Sequence, residues 1–359
     1  MSRVVSKHLF NFPLNGIIDA DIVEDEISMV KAGIEPILKL NDMSVEHERK
    51  GTHDPDSDLE YAKMFRKVVD TGFVPNTKHP ILLKAKEECI ESKILVPTTH
   101  DGDYDVEVYV LTPKKLAGSK NRVAFVYAHG GGVVAVSASD TKYFRAHVAV
   151  ECDVVAFDVE YRLAPETKCP NNVKDFYCAI KHVAENAEAL GIDPSKIIIA
   201  GESGGGYLCF GAMVMLAQND ETNLVKLAMP DIPMLGDLAY SDPLAMTNEE
   251  RETHLLMRKV WRLIASDLDK QKEDPLLFPA KASDEILAKM PPTIILECEF
   301  CFLATEAFRM ALRLRAAGRL LEYVVIPGAK HGSTFNPNLK CFDTLNEVRK
   351  MAINEYVRN

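Results

Sequence analysis

Hydrophobic positions change their rhythm near residue 90. Upstream, Leu59, Ala62, Phe65, Val68 and Val69 recur at helical spacing, which predicts a helix over Asp58–Val69. The acidic DPDSD segment supplies its caps and favours its positive end. A second helix is expected over Val23–Leu40, interrupted near Gly33 and Pro36, and no strand is expected before residue 90. Downstream, Lys93–Val96 and Asp105–Leu111 read as strands, the latter by the alternation of Val106, Val108 and Val110. Continuous apolar runs follow at Val123–Ala128, Val154–Val159, Ile197–Ala200, Ile294–Leu296 and Tyr323–Ile326. Such runs suit strands buried on both faces of a parallel sheet. Between them, Val173–Leu190 stops at Gly191 and Leu303–Ala317 stops at Gly318, as helices do.

This alternation predicts the α/β class, with one open, mostly parallel sheet flanked by helices. Residues 232–275 interrupt it with a loop rich in Pro, Asp and Asn and a helix around Arg251–Ser266. The expected organisation is a catalytic domain over residues 91–231 and 276–359, covered by a helical cap from residues 1–90 and the insertion 232–275. Met29, Met213 and Met215 are expected in the core, and Phe10 and Phe12 against the cap or an acyl pocket.

Composition narrows the function. A chain of 359 residues that is 47% hydrophobic can bury a sizeable core. Its net charge of -11 repels phosphate backbones, so no nucleic-acid partner is expected. No stretch reaches the roughly 18 apolar residues of a membrane span. The first residues have no apolar signal region, so a cytoplasmic location is expected. The eight cysteines are scattered, which suggests reduced, buried thiols and not a disulfide framework. Cys298-Glu299-Phe300-Cys301 forms a C-x-x-C but lacks a second ligand pair, and it reads as coincidence; no metal is expected.

Three segments carry chemistry. The strand Lys196–Ala200 runs into Gly201-Glu202-Ser203-Gly204-Gly205, and an apolar helix follows. This is G-x-S-x-G in its strand–turn–helix setting, which presents Ser203 as a nucleophile on a tight turn. Side chains at Gly201 or Gly205 would collide with neighbouring backbone. The helix start favours negative charge beside Ser203. His129-Gly130-Gly131-Gly132 follows the strand Val123–Ala128; its bared N–H groups, with that of Gly204, suit an oxyanion hole. His129 itself reads as a brace. His331, in Pro327–Gly332 after the strand Tyr323–Ile326, stands last in the order Ser, acid, His. Arg162 and Glu166 are expected in structural ion pairs, and Asp175 is expected solvated or capping.

Over residues 90–359 the chain resembles the hormone-sensitive-lipase-like esterases of the α/β-hydrolase fold. The resemblance rests on HGGG at 129–132, YRLAPE at 161–166, GESGGG at 201–206, Asp274-Pro275 and PGAKHG at 327–332. It implies an α/β hydrolase with a helical cap. It also implies a triad containing Ser203 and His331, and an oxyanion hole from the N–H groups of Gly131, Gly132 and Gly204. Such enzymes act on small-molecule esters of short to medium acyl chains without a cofactor, and a homodimer is in keeping with the family. The usual GDSAGG motif is altered at Glu202 and Gly204, both read as mild changes.

The triad acid departs from the pattern. Without gaps, Leu296–Leu303 places Cys301 where the family carries Asp, and Phe302 where Pro is common. Replacing the acid of one well-studied triad by Asn lowered kcat about 10⁴-fold. Four readings stay open: Glu299 on the same side of the strand, Glu306 reaching back from the next helix, Cys301 as a thiolate or sulfinate, or Cys301 as a weakened site. The favoured reading is a carboxylic ester hydrolase weakened at Cys301. Its alternatives are a ligand-binding, inactive relative and a hydrolase of amides or carbamates.

Overall fold

The computed structural model describes residues 21–22, 55–68, 77–98, 102, 104–236 and 257–359. The expected helix Val23–Leu40, together with Phe10, Phe12, Met29 and the start of Arg251–Ser266, lies outside the described residues.

The valine alternation forms β2 (Asp105–Pro113), which pairs antiparallel with β1 (Cys89–Pro97). The apolar runs form β3 (Arg122–Ala128), β4 (Val155–Glu160), β5 (Ile192–Glu202), β7 (Thr293–Phe300) and β8 (Leu320–Lys330). One strand, β6 (Leu227–Asp231), is not predicted by the pattern; it spans 5 residues and contains Pro230, which argues against a central strand. All eight strands join one sheet in the order β1-β2-β4-β3-β5-β6-β7-β8. Only β2 runs against its neighbours, and β4, β3, β5, β6, β7 and β8 are mutually parallel.

Helices fill the connections. They are α1 (Pro55–Val68), α2 (Pro80–Glu87), α3 (Ala138–Cys152), α4 (Asn171–Glu185) and α5 (Gly204–Gln218). Then come α6 (257–264), α7 (Leu268–Gln271), α8 (Asp284–Lys289), α9 (Ala304–Ala316) and α10 (Lys340–Ile353). The expected Val173–Leu190 helix ends earlier, at Glu185, and Leu190 sits in the turn before Gly191 (φ 65°). Helix α5 is buried on nearly every side, so its apolar residues form no stripe. Met213 is fully buried, and Met215 packs against the core from its edge.

The strand order reverses beside β3: the chain moves from β3 outward to β4, then returns to β5 on the other flank. Ligands of open α/β sheets bind beyond the strand ends at such a point. Here the register pairs Ala128 of β3 with Gly201 of β5, setting the two glycine-rich segments side by side.

Below that point, Arg349 of α10 pairs with Asp231 at the end of β6, Nη2 to Oδ2 2.9 Å, both buried. The carbonyl of Asp231 accepts the Ser203 N–H (2.9 Å). Burial pushes the Asp231 carboxyl up to about 7, with Arg349 pulling it down. Removing one partner of a buried pair strands the other. Arg349→Met is expected to lower stability by about 3 kcal/mol, read by urea unfolding; an unchanged midpoint would show the pair to be dispensable.

Candidate active site

Ser203 sits between β5 and α5 with φ 53° and ψ −112°, a conformation disfavoured for a residue with a side chain. The surrounding glycines make it possible. A Cβ on Gly201 would lie 2.4 Å from the Gly205 carbonyl oxygen, and one on Gly205 would lie 2.0 Å from the Ala128 carbonyl oxygen. Gly204 also departs from the sequence expectation of a mild change. A Cβ there would sit 2.6 Å from the Val133 nitrogen and 2.8 Å from the Gly132 nitrogen. In this chain the HGGG loop therefore packs directly on the serine turn, where the resembled family's alanine has no room.

The loop after β3 is held from both sides. His129 is buried, its ring stacks on Tyr161 at 4.2 Å, and the Tyr161 hydroxyl donates to the His129 carbonyl (2.6 Å). Burial holds His129 down at about 4, so it is a neutral brace. Gly131 and Gly132 adopt φ 92° and 61°, and the Gly131 carbonyl accepts the N–H groups of Val134 and Ala135. That turn leaves the amides of Gly131, Gly132 and Gly204 without a backbone acceptor among the described residues. Phe65 of α1 and Val260 of α6 lie beside Gly132, within 4 Å of where its Cβ would be. Both helices are anchored: Arg262 pairs with Asp58 (2.9 Å), and Arg66 pairs with Glu166 (2.7 Å) while donating to the Val134 carbonyl (2.8 Å). Arg162 pairs with Asp175 (2.8 Å). Asp175 is fully buried, which corrects the expectation of a solvated or capping residue.

The other half of the site comes from the strand register at the sheet's far side. Phe300 of β7 pairs with Lys330 of β8, so the next residues, Cys301 and His331, leave the sheet together. His331 Nε2 lies 3.0 Å from Ser203 Oγ, and His331 Nδ1 lies 3.0 Å from Cys301 Sγ. Phe302 packs on the imidazole with ring centroids 4.4 Å apart. Burial pushes His331 down to about 4, leaving it a neutral acceptor at ordinary pH. Burial, then Glu297 and Cys298, push the Cys301 thiol well above its usual range. A neutral thiol thus faces the imidazole, which argues against the thiolate reading.

The two carboxylates weighed from the sequence are engaged elsewhere. Glu299 accepts the Gly328 N–H (2.8 Å), and Glu306 accepts the N–H groups of Leu235 (2.8 Å) and Gly236 (3.1 Å). The acid that sequence reasoning missed is Glu297, buried behind Cys301. Its signal was a carboxylate inside the run Ile294–Leu296-Glu297-Cys298, where both strand faces are covered. All eight cysteines are free, and among the described residues no cluster of His, Cys, Asp or Glu is arranged to hold a metal. Among those residues no helix is long and apolar enough to cross a membrane.

A family model for the alpha/beta hydrolase fold matches residues 125–335. The carboxylesterase NlhH of Mycobacterium tuberculosis is 31% identical over 242 residues, covering 65% of this chain and 72% of that protein. The ethyl acetate hydrolase of Pseudomonas putida is 28% identical over 253 residues, covering 69% of this chain and 77% of that protein. A solved bacterial heroin esterase has a TM-score of 0.70 at 28% identity, covering 82% of this chain and 91% of that one.

The crossing of the turn over β3 yields a direct test. Gly205→Ala would force the Ala128 carbonyl away from a Cβ 2.0 Å distant. The expected loss is about 3 kcal/mol or more of stability, measured by thermal unfolding. A variant as stable as the parent would mean that the turn yields easily.

Proposed function

We propose that this chain, which belongs to the α/β-hydrolase fold family, hydrolyses carboxylic esters through an acyl-enzyme on Ser203. The carrying observation is the 3.0 Å contact between Ser203 Oγ and a neutral His331 Nε2, at a serine held in a strained turn. His331 takes the Ser203 proton as the hydroxyl attacks the ester carbonyl. The developing oxyanion meets the N–H groups of Gly131, Gly132 and Gly204, with the positive end of α5 behind them. The alcohol departs with the proton from His331, and water then attacks the acyl-enzyme with His331 again as base.

Short to medium acyl esters are the proposed substrates. The activities named for the Mycobacterium and Pseudomonas relatives support that class. On this reading α1 and α6 belong to a cap over the oxyanion loop, and the insertion within residues 232–275 contributes to it. The cap excludes water and sets acyl length.

Cys301 stands in the triad-acid position of this reading. A neutral thiol orients Nδ1–H but stabilises an imidazolium less than a carboxylate does. That one observation favours a second reading, a weak or inactive ligand-binding relative. Turnover of p-nitrophenyl butyrate separates the two. Wild type is expected to turn over, and Ser203→Ala is expected to lose at least about 10³-fold in kcat; equal rates for both would sink the esterase reading. Cys301→Asp is expected to raise kcat at least about tenfold at neutral pH. No rise would remove Cys301 from the triad position.

A further inference from the structure

Glu297 is a fully buried carboxylate inside the central sheet, and the reaction as written above leaves it unused. Its Oε1 accepts the Cys298 N–H (2.9 Å). Its Oε2 is buried with no hydrogen-bond partner among the described residues, and the Cys301 thiol is close enough to the carboxyl to act on it. Around it stand Asp231 of β6, itself paired with Arg349, together with Glu306 of α9, Tyr323 of β8 and Cys298 on its own strand.

Counting hydrogens gives this arrangement a purpose. For His331 Nε2 to accept the Ser203 proton, the neutral imidazole must carry its hydrogen on Nδ1. That hydrogen points at Cys301 Sγ, which also receives the Leu303 N–H (3.3 Å). Sulfur must then accept on both sides, and its own single hydrogen must point elsewhere. The unpartnered Oε2 of Glu297 is the acceptor available to it.

We propose that Glu297 is a positioning residue for His331, acting through Cys301: its carboxylate takes the thiol hydrogen, so sulfur turns a lone pair to Nδ1–H and fixes the productive tautomer. The proposal rests on the esterase reading above. No bond to substrate is involved. When Ser203 passes its proton to Nε2, the thiol hydrogen shifts toward Oε2 and sulfur gains negative character opposite the imidazolium. When His331 releases its proton to the leaving alcohol, the thiol hydrogen returns.

Protonating Glu297 reverses the arrangement. Oε1 keeps the Cys298 N–H, so the added proton sits on Oε2 and faces sulfur. The thiol hydrogen is then displaced toward Nδ1 and favours the wrong tautomer. Burial pushes this carboxyl up to about 8, with the Cys298 N–H and Cys301 lowering it and Asp231 and Glu306 raising it. The working form is the carboxylate, so activity is gained as pH rises through about 8. His331 stays neutral across that range.

The test is the pH profile of kcat and KM for p-nitrophenyl butyrate in wild type, Glu297→Gln, Cys301→Asp and the double variant. Wild type is expected to gain about tenfold or more in kcat between pH 6 and 9.5, with KM little changed. Glu297→Gln is expected to stay flat near the low-pH rate. With Cys301→Asp, which brings its own carboxylate, neither the rise nor an effect of Glu297→Gln is expected. A purely structural role for Glu297 would lower both backgrounds alike and leave the rise in place, and that result overturns the proposal. Should Glu297→Gln fail to fold, wild type against Cys301→Asp decides: a rise only in wild type supports the relay, and the same profile in both overturns it. Turnover in Cys301→Asp but none in wild type at any pH overturns the relay and leaves the second reading, a relative inactivated at Cys301. No Ser203-dependent turnover in either removes both the relay and the esterase reading.

Discussion

Ser203 holds a backbone conformation that costs a residue with a side chain on the order of 1–3 kcal/mol, and it persists because three chain segments cross within van der Waals contact. Gly205 rests on the Ala128 carbonyl, Gly201 on the Gly205 carbonyl, and Gly204 on the Gly132 and Val133 amides. No side chain larger than hydrogen fits at these crossings, so the strand ends of β3 and β5 determine where the serine hydroxyl stands. The HGGG loop cannot shift without moving the serine turn, nor the turn without moving the loop. The serine turn and the loop amides are therefore one rigid unit, and on the proposed reading such preorganised donors need little reorganisation as charge develops.

The transition state of ester hydrolysis has two charged ends, and the chain treats them differently. On the proposed reading, the oxyanion end has the amides of Gly131, Gly132 and Gly204, a helix terminus and tight packing. At the imidazolium end of that reading no carboxylate faces Nδ1: Cys301 stands 3.0 Å from it as a thiol that burial keeps neutral. In a low-dielectric site the loss of a partner charge weighs more than it would in water. The register of β7 against β8 nevertheless keeps the geometry, because Phe300 and Lys330 pair whatever follows them. Position is thus conferred by the sheet and charge by the side chain.

Much of this was legible in the sequence because it depends on local rules. Continuous apolar runs identified five of the sheet's eight strands, and β2's alternation and the short β1 run gave two more; boundaries were missed where polar ends extend a strand, as in β5 and β8. The glycine spacing around Ser203 encodes the turn itself. What escaped was what depends on tertiary context. Strand β6 is masked by Pro230, and α3 buries Phe144, Arg145, His147 and Val148 around its circumference, leaving no stripe to detect. Asp175 looked like a surface residue until Arg162 was brought onto it by the fold. Glu297 could be noticed only as an acid in an apolar strand; its relation to Cys301 depends on the chain leaving β7 as it does.

The same logic bears on why a thiol is tolerated in this position. A carboxylate at residue 301 would lie in one buried region with Glu297, Asp231 and Glu306, where Arg349 and Arg145 act on Asp231. A neutral residue at 301 leaves Glu297 as the acid that acts most on the sulfur. The substitution at Cys301 and the acid at Glu297 are therefore best understood as one arrangement: negative charge has been moved one side chain further from the imidazole, with sulfur as the polarisable connection. On the proposed reading the site gives up direct electrostatic support of His331 in exchange for a tautomer set by Glu297, whose carboxyl burial raises to about 8.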